Sequence, residues 1–457
     1  MPRLDLAEFG VPGGVLEAPR LTQDSRDVRP GDAFIALSDA HVADARARGA
    51  VIVGPAPGLR ERLGTIADSF WGHPSAELSL VGVTGTNGKT SAVQLIAQAW
   101  QLLGMSGASI GTIGAGITGH LASTGLTTPS VTRVHELLAG FRDAGVRNCA
   151  IEVSSHALEQ GRVDGARFDV VAFTNLTRDH LDYHGTMEAY AAAKARILDL
   201  DGSPTAVINL DDGYGPSFLQ RAGARGRGVS SRGHADAVVT ATDVRLDADG
   251  MRFTLGLDGR PFEVTSPLIG RFNVDNLALA AGVLHAQGIA ADEIAAVLGR
   301  LQPPLGRMNR IRMHPGAPLV VVDYAHTPDA LGQSLAALAD LPHERIVAVF
   351  GATGDRDRGK RPEMARIVEA GADVVVVTDD HVYHEDGDAI VADVMAGFAD
   401  PSAVTVLRDR RAAIAHAIDV ASPGDVVFLA GMGHERTTIV GDEHIPFSDF
   451  DTAEAVL

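Results

Sequence analysis

A glycine-rich stretch followed by lysine and threonine carries the clearest chemical signal in this sequence. It follows an apolar run and reads Gly85, Thr86, Asn87, Gly88, Lys89, Thr90, Ser91. Small residues let backbone N–H groups converge on a phosphate, Lys89 supplies a positive charge, and the Thr90 hydroxyl can hold Mg²⁺. The usual pattern G-x-x-x-x-G-K-[ST] would place glycine at position 83, where this chain has valine. We therefore predict an ATP-binding loop of an unusual type.

Alternating apolar runs and Ala-rich stretches must position this loop. From about residue 78, β-branched runs such as 148–155, 168–176 and 205–211 alternate with segments of helical period. This pattern is typical of a parallel sheet with crossover helices. Residues 237–270 instead alternate polar and apolar side chains with Asp-Gly turns, which predicts an antiparallel ribbon. Helices are expected next, at roughly 273–287 and 291–300.

A Pro- and Gly-containing stretch at 301–307 precedes a second run of strand and helix patterns. Its apolar runs are separated by four helical stretches and lie at 318–325, 345–352, 372–379 and 425–432. The pattern predicts a dinucleotide-fold-like unit. We therefore predict an α/β protein with a small N-terminal α/β domain at 1–77, a central parallel-sheet ATP-binding domain with an antiparallel ribbon at 78–304, and a C-terminal dinucleotide-fold-like domain at 305–457.

Composition and charge restrict the class of ligand. The 457 residues are 45% hydrophobic and carry a formal net charge of −19, which would repel nucleic acid and anionic membranes unless basic residues clustered. No basic run, bilayer-spanning apolar run or secretory signal pattern is present, and the single Cys149 lies within an apolar run. We therefore expect small-molecule partners, no nucleic acid or membrane, a cytoplasmic location and a Cys149 buried in the core.

Further blocks along the chain, together with the loop, resemble the Mur ligases, in particular the type that forms UDP-N-acetylmuramoyl tripeptide. In order they are DSR at 24–26, TTP at 127–129, EVSSHALEQGRV at 152–163, TRDHLDYHG at 177–185, GRFNVDN at 270–276, DYAHTPDAL at 323–331, GDRDRGKRP at 354–362 and GMGHE at 431–435. The resemblance spans nearly the whole chain, and it implies that the domain at 1–77 binds the UDP substrate and the domain at 305–457 binds the amino acid. It implies that ATP activates the D-glutamate carboxylate of UDP-N-acetylmuramoyl-L-alanyl-D-glutamate as an acyl phosphate. An amino acid's amine then captures it, in peptidoglycan precursor synthesis by a monomer.

The resemblance also implies which residues take part in catalysis. Lys89 would neutralise phosphate, while Thr90, Glu152 and His180 would ligate Mg²⁺. Lys194 matches a position that is carbamylated in these ligases, and a lysine carbamate is a carboxylate-like metal ligand. In isolation, each of the last three has a structural alternative: a solvated or capping Glu, a structural His and an exposed helix Lys.

Other implied residues surround the two nucleotides. For ATP they are Gly85, Thr86, Asn87, Gly88, Lys89, Thr90 and Ser91 of the loop, with Asn273, Arg307, Asp323 and His326. Asp323 and His326 could equally belong to a capped turn, and Asn309 stands where the family often has Glu. For the UDP substrate they are Ser25, Thr127, Thr128, Ser154, Gln160 and Arg162. Arg162 is the most interpretable, because a guanidinium fits a carboxylate or phosphate through two contacts.

The segment at 378–390 departs from the family pattern and bears on the amino acid. Members that add meso-diaminopimelate carry Asp-Asn-Pro-Arg, whose Arg reads the second carboxylate, whereas Tyr383 stands at that position here. Without that Arg a distal carboxylate would be unpaired, while a distal ammonium would be favoured beside Asp380 or Glu385. We therefore expect L-ornithine or L-lysine, with ornithine suggested by the volumes of Tyr383 and Met432. Retention of meso-diaminopimelate through another Arg is the alternative.

The implied amino-acid-binding residues are Arg356, Asp380, His381, Tyr383, Gly431 and Glu435, with Arg410 and Arg411 as further candidates for the α-carboxylate. Three other functions stay open at this point. A folylpolyglutamate synthetase would share the loop but not the blocks around 24–26 and 152–163. A non-catalytic paralogue would show damage at the residues implied in catalysis, all of which are present. A simple ATPase would not need the last domain.

Overall fold

The computed structural model describes residues 2–247, 250–311, 313–314 and 316–457. Contact density divides the chain into a first unit, made of 1–242, 255–262 and 275–298, and a second unit, made of 243–254, 263–274 and 299–457. Within the part of the chain just defined, no helix has the length and apolar character needed to span a membrane. The domain boundaries near residues 77 and 304 stay predictions.

The N-terminal part of the first unit is built from short elements around a small apolar core. Strands β1 and β2 pair antiparallel, and β3, β4 and β5 form a parallel sheet. The bounds are β1 Arg3–Asp5, β2 Val15–Glu17, β3 Leu21–Thr22, β4 Ala33–Ile35 and β5 Val51–Val53, with helices α1 Val42–Ala47 and α2 Leu59–Phe70 and 3₁₀ turns Leu6–Phe9, Ser25–Asp27 and Pro74–Ala76.

An eleven-stranded sheet follows, with the order β16-β15-β14-β13-β12-β11-β6-β10-β7-β8-β9. The strands are β6 Ser79–Thr84, β7 Gly107–Gly111, β8 Gly114–Ile117, β9 His120–Ala122, β10 Asn148–Glu152, β11 Val170–Phe173, β12 Thr205–Asn209, β13 Gly226–Ser230, β14 Ala237–Asp247, β15 Gly250–Leu257 and β16 Arg260–Ser266. The helices are α3 Lys89–Leu102, α4 Val131–Asp143, α5 Ser155–Glu159, α6 Leu181–His184, α7 Met187–Ala195, α8 Gly215–Ala222, α9 Arg271–Ala286 and α10 Ala291–Leu298, with 3₁₀ turns Arg196–Asp199 and Gly223–Arg225.

The position of β6 explains where the loop lies. This strand pairs in parallel with β10 on one side and β11 on the other, while the chain leaves it through α3 and continues into β7. Buried parallel strands read as continuous apolar runs, which is why the sequence predicts β6, β10, β11 and β12. Cys149 is fully buried in β10, as expected. The Gly-rich strands β7 and β13 were missed because they lack the β-branched pattern.

The second unit contains a six-stranded sheet with the order β17-β18-β22-β19-β20-β21. Its strands are β17 Asn309–Ile311, β18 Leu319–Asp323, β19 Ile346–Phe350, β20 Val374–Val377, β21 Thr405–Val406 and β22 Val426–Ala430, followed by the hairpin β23 Thr437–Val440 and β24 Glu443–Pro446. The helices are α11 Pro328–Ala339, α12 Lys360–Gly371, α13 Gly387–Met395, α14 Arg410–Asp419 and α15 Asp449–Val456, with a 3₁₀ turn Pro401–Ala403. The four predicted strands and the four helices between them are confirmed, and so is the α/β fold class.

Candidate active site

The glycine-rich loop connects β6 to α3 at the centre of the main sheet. Gly85 and Gly88 have φ angles of 150° and 82°, which favour glycine. A Cβ on Gly85 would lie 1.8 Å from the Thr174 hydroxyl oxygen, so the loop approaches the end of β11 too closely for a side chain. That hydroxyl donates to the Asn87 carbonyl at 2.6 Å. The sequence therefore folds here into a fixed backbone turn that opens a helix, which is the arrangement that binds polyphosphate.

Two lysine amines lie on this loop. Lys89 Nζ donates to the carbonyls of Gly85 and Thr86 at 2.9 and 2.8 Å. Lys194 Nζ, from α7, donates to the same Gly85 carbonyl at 2.7 Å. Lys194 is therefore not an exposed helix lysine, since it is only 1% exposed. Burial, helped by the charge of Lys89, lowers the pKa of Lys194 well below its ordinary value. Such an amine is readily neutral, and a neutral amine is the form that takes up CO₂ as a carbamate.

Glu152 ends β10 and is fully buried beside the loop. Its Oε2 accepts a hydrogen bond from the Thr90 hydroxyl at 2.9 Å, so two of the expected metal ligands are in direct contact. Thr112 donates its backbone N–H to Oε1 at 2.8 Å and its hydroxyl to Oε2 at 3.2 Å. A Cβ on Gly111 would lie 2.1 Å from Oε1, so glycine is needed there. Sequence reasoning missed Thr112, although the Gly-Thr pair after β7 was visible.

His180 lies in a cluster of aromatic side chains rather than in a ring of carboxylates. Its ring is 4.9 Å from that of His156 and 6.2 Å from that of Tyr190, and its side chain is 48% exposed. Tyr190 connects this cluster to the loop, because its Oη is 3.2 Å from the Thr86 hydroxyl and its ring is 4.5 Å from Lys194 Nζ. Tyr190 was missed, and its i, i+4 spacing from Lys194 was the available signal.

The residue types near the loop suit Mg²⁺ only in part. Among the described residues, no group of three or more His, Cys, Asp or Glu side chains is placed to hold a metal ion. The Thr90 hydroxyl and Glu152 supply the oxygen ligands that Mg²⁺ prefers. The charge of the Asp179 carboxylate also acts on Lys194 at this place.

The residues predicted for the UDP substrate form a hydrogen-bonded chain that begins at Glu152. Thr128 donates its hydroxyl to the Glu152 carbonyl at 2.7 Å and accepts from the Ser154 N–H at 3.1 Å. Arg162 donates to the Thr128 carbonyl at 2.8 Å and, through Nη2, to the Gln160 side chain at 2.7 Å. Thr127 lies beside this chain, with its hydroxyl oxygen 3.1 Å from that of Thr112. Ser25 is separate from it and lies in the N-terminal part, where its side-chain hydrogen bond lowers the pKa of Asp44.

In the second unit, the predicted residues follow the carboxyl ends of four parallel strands, β18, β22, β19 and β20, where sites in such sheets collect. Asp323 ends β18, Gly431 follows β22, Arg356 lies in the loop after β19, and Asp380 lies in the loop after β20. Asp323 holds a turn, because its carboxylate accepts from the Ser334 hydroxyl at 2.6 Å and the Met308 N–H at 3.3 Å. These are the contacts expected if Asp323 belongs to a capped turn, which was the structural alternative in the sequence analysis.

His326, Arg307 and Asn273 also have described surroundings in this unit. His326 Nδ1 is 2.8 Å from the Tyr324 carbonyl, and burial lowers its pKa to about 4, with a further contribution from the charge of Lys360. The Arg307 guanidinium lies 4.7 Å from the centre of the Tyr324 ring. Asn273 is buried and donates to the Ile269 carbonyl at 2.8 Å. Their roles at ATP stay predictions.

Two parts of the argument for a basic amino acid are wrong, and one candidate for the α-carboxylate is excluded. Glu385 is not available to a distal ammonium, because both of its oxygens accept from the fully buried Arg361, at 2.7 and 2.6 Å. Met432 does not fill a binding pocket, since it is 1% exposed within an apolar core cluster. Arg410 is no candidate for a substrate carboxylate, because it is paired with the buried Asp449 at 2.7 Å.

Residues 83–284 match the Mur ligase middle domain, and residues 306–433 match the Mur ligase glutamate ligase domain. A relative from Xylella fastidiosa (strain 9a5c) is 54% identical over 96% of this chain and 93% of its own length. It is called UDP-N-acetylmuramoyl-L-alanyl-D-glutamate--2,6-diaminopimelate ligase. The chain belongs to the Mur ligase family. It is therefore an ATP-dependent acid–amino-acid ligase, and members of this family use Mg²⁺.

Two further relatives carry the same name. A Pseudomonas putida protein is 45% identical over 96% of this chain and 94% of its own. A solved structure of such a ligase is 35% identical, covers 96% of this chain and 94% of its own, and has a TM-score of 0.69. The Mur ligase assignment is thus confirmed, together with a place in peptidoglycan synthesis. The expected preference for L-ornithine or L-lysine is not supported, since these relatives are named for 2,6-diaminopimelate.

Proposed function

We propose that this Mur ligase adds 2,6-diaminopimelate to UDP-N-acetylmuramoyl-L-alanyl-D-glutamate. The observation that carries the choice of amino acid is an arginine that no carboxylate neutralises. Arg356 is exposed in the loop after β19, and among the described residues no acidic side chain lies within ion-pairing distance of it. Its neighbours Arg358 and Arg361 are both paired, with Asp393 and Glu385. A cation is therefore present for a distal carboxylate, even though the usual Arg is missing.

The loop residues suit the first half of the reaction. Transfer of the γ-phosphoryl group brings a carboxylate towards a triphosphate, so cations and aligned donors must lower the repulsion between the two anions. Lys89 and the backbone N–H groups that open α3 would hold the phosphates, and Mg²⁺ would be held by Thr90 and Glu152. When bound, the metal ion neutralises charge on the phosphate oxygens. The D-glutamate carboxylate would approach along the chain of contacts from Glu152 to Arg162.

Lys194 is best explained as the carbamate that the family resemblance implies. As an ammonium it would share the Gly85 carbonyl with Lys89 and add a second positive charge in a buried place. As a carbamate it would pair with Lys89 and offer oxygen to the metal ion. The low pKa that burial produces favours the unprotonated amine required for that modification.

The amine of the incoming amino acid needs anions, and the second unit supplies two. Asp380 is buried near Gly431, and burial raises the pKa of Glu435, to which the charge of Asp380 also contributes. Two carboxylates together with Arg356 complement an amino acid that has ammonium and carboxylate groups at both ends. L-lysine and L-ornithine have no second carboxylate, so neither could place a distal carboxylate on Arg356.

The experiment is phosphate release from Mg·ATP with UDP-N-acetylmuramoyl-L-alanyl-D-glutamate and one amino acid at a time, with every product identified by mass. We expect phosphate release and a tripeptide product with 2,6-diaminopimelate. A product formed only with L-lysine or L-ornithine would contradict the proposed amino acid and keep the ligase chemistry. A product with a folate substrate and glutamate instead would contradict the proposed UDP substrate.

A further inference from the structure

The Tyr383 ring lies against Arg356, the arginine described above that has no acidic side chain within ion-pairing distance among the described residues. The Arg356 guanidinium carbon lies 5.2 Å from the centre of the Tyr383 ring. Arg356 also donates to the Asp355 carbonyl at 2.9 Å. A guanidinium over an aromatic face is held in direction by the ring while its N–H edge stays available for a ligand. The contact thus orients Arg356 without consuming its charge.

The backbone at Tyr383 is fixed in a conformation that side-chain-bearing residues rarely adopt. Its φ is 51°, in the left-handed region. The Tyr383 N–H donates to the Ile439 carbonyl at 3.1 Å, and the Gly441 N–H donates to the Tyr383 carbonyl at 2.7 Å. The hairpin formed by β23 and β24 therefore holds this residue in place. Strained residues persist only where the surroundings enforce them, and they concentrate at functional sites.

The loop that carries Arg356 is tied to the loop that carries Tyr383. The Gly354 N–H donates to the His381 carbonyl at 2.8 Å. The Asp355 N–H donates to Glu385 at 3.0 Å, and the His384 N–H donates to the Asp355 carboxylate at 3.0 Å. Glu385 is itself held by the buried Arg361, whose side-chain hydrogen bonds lower the pKa of Glu385 to about 2. Both partners of the ring contact therefore sit on one clamped pair of loops.

We infer that Tyr383 is a positioning residue for amino-acid specificity, which directs Arg356 at the distal carboxylate of a diamino dicarboxylic acid. This inference rests on the proposed function and adds how the site works without the missing Arg. The resemblance described in the sequence analysis implies a cation at position 383 itself. Here the cation comes from the neighbouring loop, and the residue at 383 supplies the surface on which it rests.

The test compares Y383L with Y383F in the full-length enzyme. Because ring contacts of this kind have modest free energies, Y383L should raise KM for 2,6-diaminopimelate by about fivefold or more, with kcat and the KM for ATP nearly unchanged. Y383F keeps the aromatic face and should stay close to the wild type. The matched control is F262L, which removes a similar contact with Arg260, 4.8 Å from the ring centre, in the ribbon. F262L should leave the KM for 2,6-diaminopimelate unchanged.

A relocated charge provides a second test that does not depend on Y383L folding. R356A should lower kcat/KM for 2,6-diaminopimelate, and R356A combined with Y383R should restore a large part of it. An unchanged KM in Y383L, equal effects of Y383F and Y383L, or no restoration in the double variant would overturn the inference. A wild-type enzyme that makes no product with 2,6-diaminopimelate would instead overturn the proposed function, so the two failures are distinguishable.

Discussion

The phosphate loop and the clamped loops around Tyr383 differ in how strictly their proposed chemistry depends on the local sequence pattern. In the phosphate loop, the groups proposed to bind phosphate belong mainly to the backbone, and Gly85 approaches Thr174 too closely for any side chain. In the clamped loops the group proposed to recognise the substrate is a single guanidinium, that of Arg356 on a neighbouring loop. Chemistry that depends on backbone geometry thus requires its sequence pattern, whereas recognition by one charged side chain tolerates a change of position.

The largest expected effect lies in the phosphate region, where no substitute residue is available. Glu152→Gln keeps the size of the side chain but removes the charge that Thr90 and a metal ion would face. We expect kcat to fall by about 10²-fold to 10³-fold, as when a charge-stabilising group is removed. Glu188→Gln, on the exposed first turn of α7, is the matched control and should keep wild-type activity. Activity of Glu152→Gln within a few-fold of wild type would remove Glu152 from the proposed chemistry.

Lys194 gives the next largest expected effect and tests the carbamate directly. With ¹³C-labelled bicarbonate, the wild type should show a carbamate carbon signal by NMR that is absent in Lys194→Ala. Loss of the metal ligand should lower kcat of that variant by roughly 10-fold to 100-fold, the cost typical of disturbed metal coordination. A fully active enzyme without the carbamate signal would show that Lys194 acts as an amine.

The smallest expected effect is on the free energy of unfolding, and it arises from His326 in the second unit. Burial lowers the pKa of His326 to about 4, below the ordinary value of 6.5. Between those values the unfolded chain binds a proton that the folded chain does not, so the free energy of unfolding falls as the pH drops from about 6.5 towards 4.

Urea unfolding at pH 7.5 and pH 5 measures this effect. The decrease in the free energy of unfolding between the two pH values should be smaller in His326→Gln than in wild type, by about 2 kcal/mol. His343→Gln is the matched control, because the ring of His343 makes the same kind of contact with a backbone carbonyl, at 2.7 Å from Leu341 O. Equal losses in wild type and His326→Gln would contradict the assigned cause.

Sequence reasoning succeeds where a local pattern determines a local structure. The buried parallel strands and the loop at 85–91 follow from apolar runs and glycine spacing. It fails where partners come from distant parts of the chain. Nothing in the local pattern shows that Glu385 pairs with Arg361 or that Met432 lies in a core. The expectation of a basic amino acid came from the missing Arg at position 383, and the support attributed to these two residues was wrong.

The contact between Arg356 and Tyr383 was out of reach for the same reason. The two residues lie on loops after different strands, and only the parallel order of β19 and β20 brings those loops together. Thr112 and Tyr190 likewise reach the phosphate region from other segments. The monomeric state, the cytoplasmic location and the domain boundaries stay predictions.

The most direct test of the account is a competition for ligation. The wild-type enzyme is given Mg·ATP, the UDP-linked dipeptide and an equimolar mixture of 2,6-diaminopimelate, L-lysine and L-ornithine, and the products are identified by mass. The account predicts that the 2,6-diaminopimelate product dominates, because only that amino acid has a distal carboxylate to place on Arg356. Dominance of the L-lysine or L-ornithine product would contradict it and would show that loss of the Arg at position 383 changed the substrate.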